Sequence, residues 1–373
     1  MSVPPGILFP SYLGEAFAAG DGKLTGGILY DHMVAEAFRG RGWRVATFDL
    51  ETLPRYAKML RVPVRGLLSA ACRGDRDVLL TDLGNSSLTL GLQRAEAARG
   101  RLTVLLCHHF RAGIERTLPK RLLYRITERG IVAGAGLLVA NSPHTASVLV
   151  SMGRDPADII QAPPGLSVPR AQAPRFRDAP TDLLMVGGIE PRKGAIDAVR
   201  ALAVSGLDRA VLTIAGDPGG PSAYRRELDE VIGRSGLEAR VRFVGRLDAG
   251  ALTDAYRRAD AFVLLSGWEG YGMAIAEAMA SGLPVLSTTA GAIPQLVRHG
   301  VSGLLSEPGD WKAAAANMRD LFTDGALRAA LARGALEGAA GLPTWERSMG
   351  GIVDAVEARL GIIPCGRRSS PGT

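Results

Sequence analysis

This 373-residue sequence is poor in the features that mark disulfide scaffolds, membrane spans and zinc modules. Its three cysteines, Cys72, Cys107 and Cys365, are widely spaced and odd in number, which excludes a disulfide framework and a CxxC metal site. No run reaches the ~18 uninterrupted apolar residues that a membrane helix needs. The N-terminus MSVPPGILFPSYLGEAF lacks the basic lead and long apolar run of a secretory signal, so a cytoplasmic, non-spanning protein is the expectation. Five histidines are scattered, with His32 and His144 in helical stretches and His299 in a turn, and suggest no zinc site.

What the sequence does have is core. A hydrophobic share of 47% against 22% charged residues belongs to packed globular proteins and lies far from disordered chains. The length exceeds one typical domain of ~100 to 200 residues, so two domains are expected. The net charge of +7 is uneven: residues 1 to 165 carry 20 Lys/Arg against 14 Asp/Glu, an excess of 6, and the remainder carries 24 against 23. Such a field favours an anionic partner, a phosphorylated acceptor or an acidic membrane surface, although a compositional bias toward Arg, Ala and Gly explains it equally well. No nucleic acid is expected as a partner.

Short continuous apolar runs ending in Gly, Ser or His alternate with helical segments, the rhythm of a parallel α/β sheet buried on both faces. GILFPSY, WRVATFDL, DVLLTDL, LTVLLCHHF and GLLVANS lie in the first half; DLLMVGG, AVLTIAGD, VRFVGR, AFVLLSG and PVLSTTA lie in the second. Between them, residues 162 to 182 hold five prolines and no apolar period, a linker signature. The boundaries read as a domain at 1–165, a linker at 166–180, a second domain at 181–343, a C-terminal helix at 344–365 packing toward the first domain, and a disordered tail at 366–373. In open α/β sheets ligands bind beyond the carboxyl ends of the strands, so functional residues should follow these runs and face a cleft between two doubly wound, Rossmann-like domains.

The segment AFVLLSGWEGYGMAIAEAMASGLPVLSTTAGAIP reads as a buried strand, a turn at Ser266 to Gly272, a helix from Met273 to Ala280 and a Gly-Leu-Pro turn into another strand. Gly270 and Gly272 put Glu269 in the loop while Glu277 lies within the helix, so two carboxylates can reach one ligand. The backbone of Gly270, Tyr271, Gly272 and Met273 would offer N–H groups at a helix N-terminus to a diphosphate, and carboxylates accept hydrogen bonds from sugar and ribose hydroxyls.

Glu269 to Glu277, with Ser266 ahead and Ala278 to Val285 behind, closely resembles the E-x7-E signature of the family 4 retaining glycosyltransferases of the GT-B fold. The likeness covers about residues 181 to 305 and, more faintly, the first half. It implies a retaining, EC 2.4-type enzyme that moves a hexose-type sugar from a nucleotide-diphosphate donor to an acceptor glycan, a lipid-linked acceptor or a small molecule. It implies no cofactor and no obligatory metal. Glu277 would bind the ribose, Glu269 the donor sugar, and Lys193 the leaving diphosphate. In the family an Arg follows the Gly of this loop; Gly188 stands there, and Arg192 is expected to supply part of the missing charge. Gly26 and Gly27 resemble the glycine-rich first loop, where backbone can approach phosphate and sugar closely. His108 matches the histidine that faces the donor sugar in related enzymes; His109 and Arg111 fall on the acceptor side. Gln295 stands where Glu is frequent. Two alternatives remain open at this level: a nucleotide-sugar epimerase, and a catalytically weak sugar-nucleotide-binding paralogue.

Asn141 and Ser142 read as structural, Ser142 being a natural N-cap with Pro143 next. In the segment 111–130, Arg116, Lys120, Arg121, Arg125 and Arg129 alternate with Leu118, Leu122, Leu123 and Ile126. The commoner arrangement packs such leucines inward; the other lays a basic amphipathic helix on an acidic membrane as a peripheral contact.

Overall fold

The computed structural model describes residues 4–11, 25–50, 77–115, 117–174, 177 and 179–362. The expected tail at 366–373 lies outside the described residues. The chain forms two compact units, residues 1–164 with 344–373, and residues 165–343.

The first unit is built on a six-stranded parallel sheet ordered β2-β1-β3-β4-β5-β6. Its strands are β1 (Gly6–Ser11), β2 (Arg44–Asp49), β3 (Val78–Asp82), β4 (Leu102–Cys107), β5 (Leu137–Ala140) and β6 (Ile159–Gln161). The apolar runs read from the sequence form the first five; the inner strands are buried, Leu79, Leu105 and Leu138 fully, while the edge strand β2 leaves Ala46 and Thr47 exposed. Helices α1 (Gly26–Gly40), α2 (Ser86–Ala97), α3 (Arg111–Ile114), α4 (Leu118–Gly134) and α5 (Pro143–Ser151) cover the sheet. Ser142 caps α5, accepting from Thr145 N at 3.0 Å.

The second unit repeats the plan with order β12-β11-β10-β7-β8-β9, again parallel. Its strands are β7 (Asp182–Val186), β8 (Val211–Ala215), β9 (Val241–Gly245), β10 (Ala261–Leu264), β11 (Val285–Thr288) and β12 (Gly303–Ser306). Its helices are α6 (Ala195–Val204), α7 (Ala223–Arg234), α8 (Ala249–Arg258), α9 (Met273–Ala280), α10 (Ile293–Leu296), α11 (Trp311–Thr323) and α12 (Gly325–Ala340). The proline-rich stretch lies along this unit: Val168 joins its core, and Ala171 N donates to Ala280 O at 2.8 Å.

A last helix, α13 (Trp345–Arg359), completes the first unit. It sends Met349, Ile352, Val353 and Val356 into a cluster with Tyr30, Val34 and Phe38 of α1. Glu357 fixes its far end, accepting from Trp43 Nε1 at 3.2 Å and Arg41 at 3.0 Å.

Candidate active site

Strand order reverses between β10 and β7 in the second unit and between β1 and β3 in the first. In open parallel sheets such switch points leave a crevice beyond the carboxyl ends, because the two neighbouring connections leave in opposite directions.

In the second unit the loops after β7 and β10 meet at Glu269. Lys193 Nζ donates to Glu269 Oε1 at 2.7 Å, and Ser266 Oγ donates to the same oxygen at 2.9 Å. Arg192 Nη1 stands 3.6 Å from it while Arg192 Nε donates to Glu190 at 3.0 Å. Burial alone would push the Glu269 carboxyl up. The charges of Lys193 and Arg192, with the two hydrogen bonds, outweigh that and hold it below the ordinary glutamate range. The loops are also tied through backbone, Gly267 N donating to Arg192 O at 2.8 Å and Ala292 N to Glu269 O at 2.9 Å.

Both helices that open at this place start on a left-handed glycine and have no side-chain cap: Gly194 (φ 71°) before α6 and Gly272 (φ 99°) before α9. A Cβ at 194 would overlap the carbonyl oxygen of Leu265, so only glycine lets the β7 loop lie against the β10 loop. The unit's other helices of eight or more residues are capped by Ser222, Asp248, Asp310 and Asp324. At α6 the Ile196 amide instead donates to Tyr224 Oη at 3.3 Å, so the N-terminus without a side-chain partner at the switch point, among the described residues, is that of α9. Tyr271, also in this loop, is buried, and its hydroxyl has no hydrogen-bond partner among the described residues.

Glu277 lies one turn inside α9. Its Oε2 accepts from Tyr256 Oη at 3.1 Å. Burial raises its carboxyl above the ordinary range, opposed by the bonds from Tyr256 and from Ser167 of the proline-rich stretch. Gly188 leaves room beside Glu190 and Asp217, where a Cβ would stand 3.4 Å and 3.5 Å from their side chains. Arg246, at the end of β9, pairs with that Asp217, a cation near Gly188 that motif reading did not single out.

In the first unit His108 follows β4 and is buried. Its Nε2 is 2.9 Å from Asp31 Oδ1 of α1, the Tyr30 ring meets it edge-on at 4.7 Å, and Asn141 Nδ2 donates to its carbonyl at 3.0 Å. Gly27 faces the imidazole: a Cβ there would be 3.9 Å from His108 Cδ2. Gly26 is exposed at the helix start. Burial disfavours the imidazolium, but Asp31 and Asp82 more than offset it and the His108 pKa is raised. Burial and the Asp82 charge push Asp31 up to about 6, against the pull of His108.

Asp31, Asp82 and His108 present ligand atoms within 4.8 Å of one another, the one such three-residue group among the described residues able to hold a metal ion. Arg111 begins α3 beside Asp82, its Nε 3.7 Å from where a Gly84 Cβ would stand. That Nε and Asn85 Oδ1 are buried without a partner among the described residues. His109 is partly buried next to His108. Asp31, Asp82 and Asn85 were not singled out by motif; Asp31 sits in a helix that reads as ordinary, and only its approach to β4 buries it.

Two six-stranded parallel sheets with helices and a returning C-terminal helix define the two-domain GT-B fold of glycosyltransferases. The fold matches sucrose-phosphate synthase from Thermosynechococcus elongatus at a TM-score of 0.79 and 19% identity, over 96% of this chain and 100% of that one. It matches Anabaena HepE, solved in complex with UDP-glucose, at 0.75 and 21%, over 95% and 99%. The model of "Glycosyl transferases group 1" matches residues 170–337. A D-inositol 3-phosphate glycosyltransferase from Actinosynnema mirum is 32% identical over 89% of this chain and 83% of its own length. The chain belongs to the group 1 glycosyl transferases.

Proposed function

We propose that this chain transfers a hexose-type sugar from a nucleoside-diphosphate donor to an acceptor, with retention of the anomeric configuration. The observation that carries this reading is the Glu269 node: a buried carboxylate gathering Lys193, Ser266 and Arg192 beside the uncapped N-terminus of α9. A diphosphate suits that N-terminus and those cations, and sugar hydroxyls suit a carboxylate held ionised. The orphaned Tyr271 hydroxyl gives the donor a further partner in the same loop, and Glu277 takes the ribose.

In the first unit His108, oriented by Asp31 and beside Gly27, takes the role of steadying charge as the glycosidic bond breaks. Asp82, Asn85 and Arg111 are acceptor-side groups, with His109 beside them. A cation there suits an anionic acceptor, the class represented by the inositol phosphate in the Actinosynnema relative's name. Transfer proceeds on one face of the sugar through an ion-pair-like step with no protein nucleophile. Leaving-group charge is met by Lys193, Arg192 and the helix amides, so no metal or cofactor is required. Family membership does not favour the epimerase alternative.

The test is a panel of nucleotide sugars by thermal shift, followed by release of nucleoside diphosphate with and without sugar phosphates as acceptors. One donor should raise the melting temperature and be consumed faster with acceptor, before and after exhaustive chelation, giving a product with the donor's anomeric configuration by NMR. Binding without consumption would support the weak paralogue, and an epimerised donor the epimerase.

A further inference from the structure

We infer that the outer face of α4 is a docking surface for an anionic lipid bilayer. Leu118, Leu122 and Ile126 recur every fourth residue and are 69%, 60% and 61% exposed, with Leu123 at 37% beside them. That spacing puts the row on one side of the helix. The opposite side is already used: Tyr124, Thr127, Ile131 and Val132 are buried, Thr127 meets Ser86 of α2 at 3.3 Å, and Gln93 of α2 donates to Ile131 O at 2.8 Å. The leucines thus point away from the unit, the reverse of the commoner arrangement, and nothing among the described residues covers them. Single exposed leucines are ordinary on a soluble surface; a row of them is not.

The charge around the row selects the occupant. Lys120, Arg121, Arg125 and Arg129 are all exposed. The nearby Glu128 is turned inward, accepting from Arg111 N at 2.6 Å and Ala112 N at 3.3 Å, so it does not neutralise them. Apolar side chains set among cations match the boundary between acyl chains and acidic headgroups. Two copies of this face would bring like charges together, which disfavours self-association through it. No helix among the described residues is long and apolar enough to cross a membrane, so α4 would lie on the surface and not span it.

The experiment is co-sedimentation of the whole chain with phosphatidylcholine vesicles, and with vesicles carrying about 30% phosphatidylglycerol, at low and high salt. Capture is expected on the anionic vesicles alone, weakened by salt. Arg121→Glu with Arg125→Glu should cut partitioning at least roughly 25-fold, at roughly fivefold per lost cation. Leu118→Ser, Leu122→Ser and Ile126→Ser together should abolish the salt-resistant part, with melting temperature and nucleotide-sugar response unchanged. A polarity-sensitive dye on Leu122→Cys should shift to the blue on anionic vesicles. The proposal is overturned by absence of capture at low salt or by capture that ignores both sets of substitutions. It is equally overturned if the serine substitutions split a dimer in light scattering without changing capture, or if the new thiol at position 122 is shielded from soluble reagent before vesicles are added.

Discussion

Glu269 is 6% exposed, and its carboxyl stays ionised there because Lys193 and Ser266 bond one oxygen and Arg192 lies nearby. Removing one member of a buried pair strands the other charge, at a cost of about 3 to 5 kcal/mol when nothing compensates. Arg192 and Ser266 remain in Lys193→Ala, so the stability loss should be smaller. The rate loss should be large, roughly 100-fold or more in nucleoside-diphosphate release, since a cation that meets leaving-group charge acts mainly in the transition state. Arg192→Ala should lower the rate less, about tenfold, because its guanidinium is shared with Glu190. An unchanged rate in Arg192→Ala beside a collapsed one in Lys193→Ala would remove Arg192 from the account. At His108 the facing groups are Asp31 of α1, Asp82 at the end of β3, and Tyr30, whose pKa is raised by burial. Because the two aspartates raise the imidazole pKa, Asp31→Asn should move any rate limb governed by His108 to lower pH. It should reduce kcat more than donor KM, measured as a pH profile. A limb that stays in place would leave Asp31 a packing residue.

At the scale of elements, α9 depends on how it begins. Gly272 holds φ at 99°, and an added Cβ would lie 3.3 Å from the mobile ends of Ile275 and Leu296. Gly272→Ala is thus a backbone change more than a steric one, worth about 1 to 3 kcal/mol. The expected outcome is a lower melting temperature with a raised donor KM, measured by titrating donor against initial rate; a raised melting temperature with unchanged KM would mean the start of α9 does not touch the donor. Much of this region was legible in advance. The strand ending at Leu264, the Glu269 loop and the helix Met273–Ala280 follow from a continuous apolar run broken by glycine, a pattern that local sterics determine. The edge strands β6 and β12, IIQ and GLLS, were not among the runs read from the sequence. Segments of three or four residues carry too little periodicity, and pairing with a neighbour far along the chain makes them strands. Likewise Asp31 and the outward leucines of α4 owe their environment to non-local packing, which helical spacing cannot report.

The whole molecule has separate hydrophobic cores: residues from Val168 to Ala339 supply the second unit's, while α1, the first sheet and α13 share the first unit's. Separate cores imply separable unfolding, and donor chemistry assigned to one of them gives a way to tell the transitions apart. Ile352 is fully buried on α13. Ile352→Ala removes contacts with α1 at a cost of about 2 to 5 kcal/mol. By calorimetry it should lower the transition of the first unit alone. Nucleoside diphosphate should raise the other transition alone, because the Lys193–Glu269 node and the uncapped N-terminus of α9 belong to residues 165–343. The first unit should also lose stability as pH rises through neutrality. Glu128 is raised from 4.5 to about 7 by burial, against bonds from Ala112 and Arg111, so between those values the folded unit binds more protons than the unfolded chain. Glu128→Gln should flatten that slope in the Ile352-sensitive transition and leave the nucleotide-sensitive one unmoved. A single transition that responds equally to Ile352→Ala, nucleotide and Glu128→Gln would show the two cores to be one cooperative system.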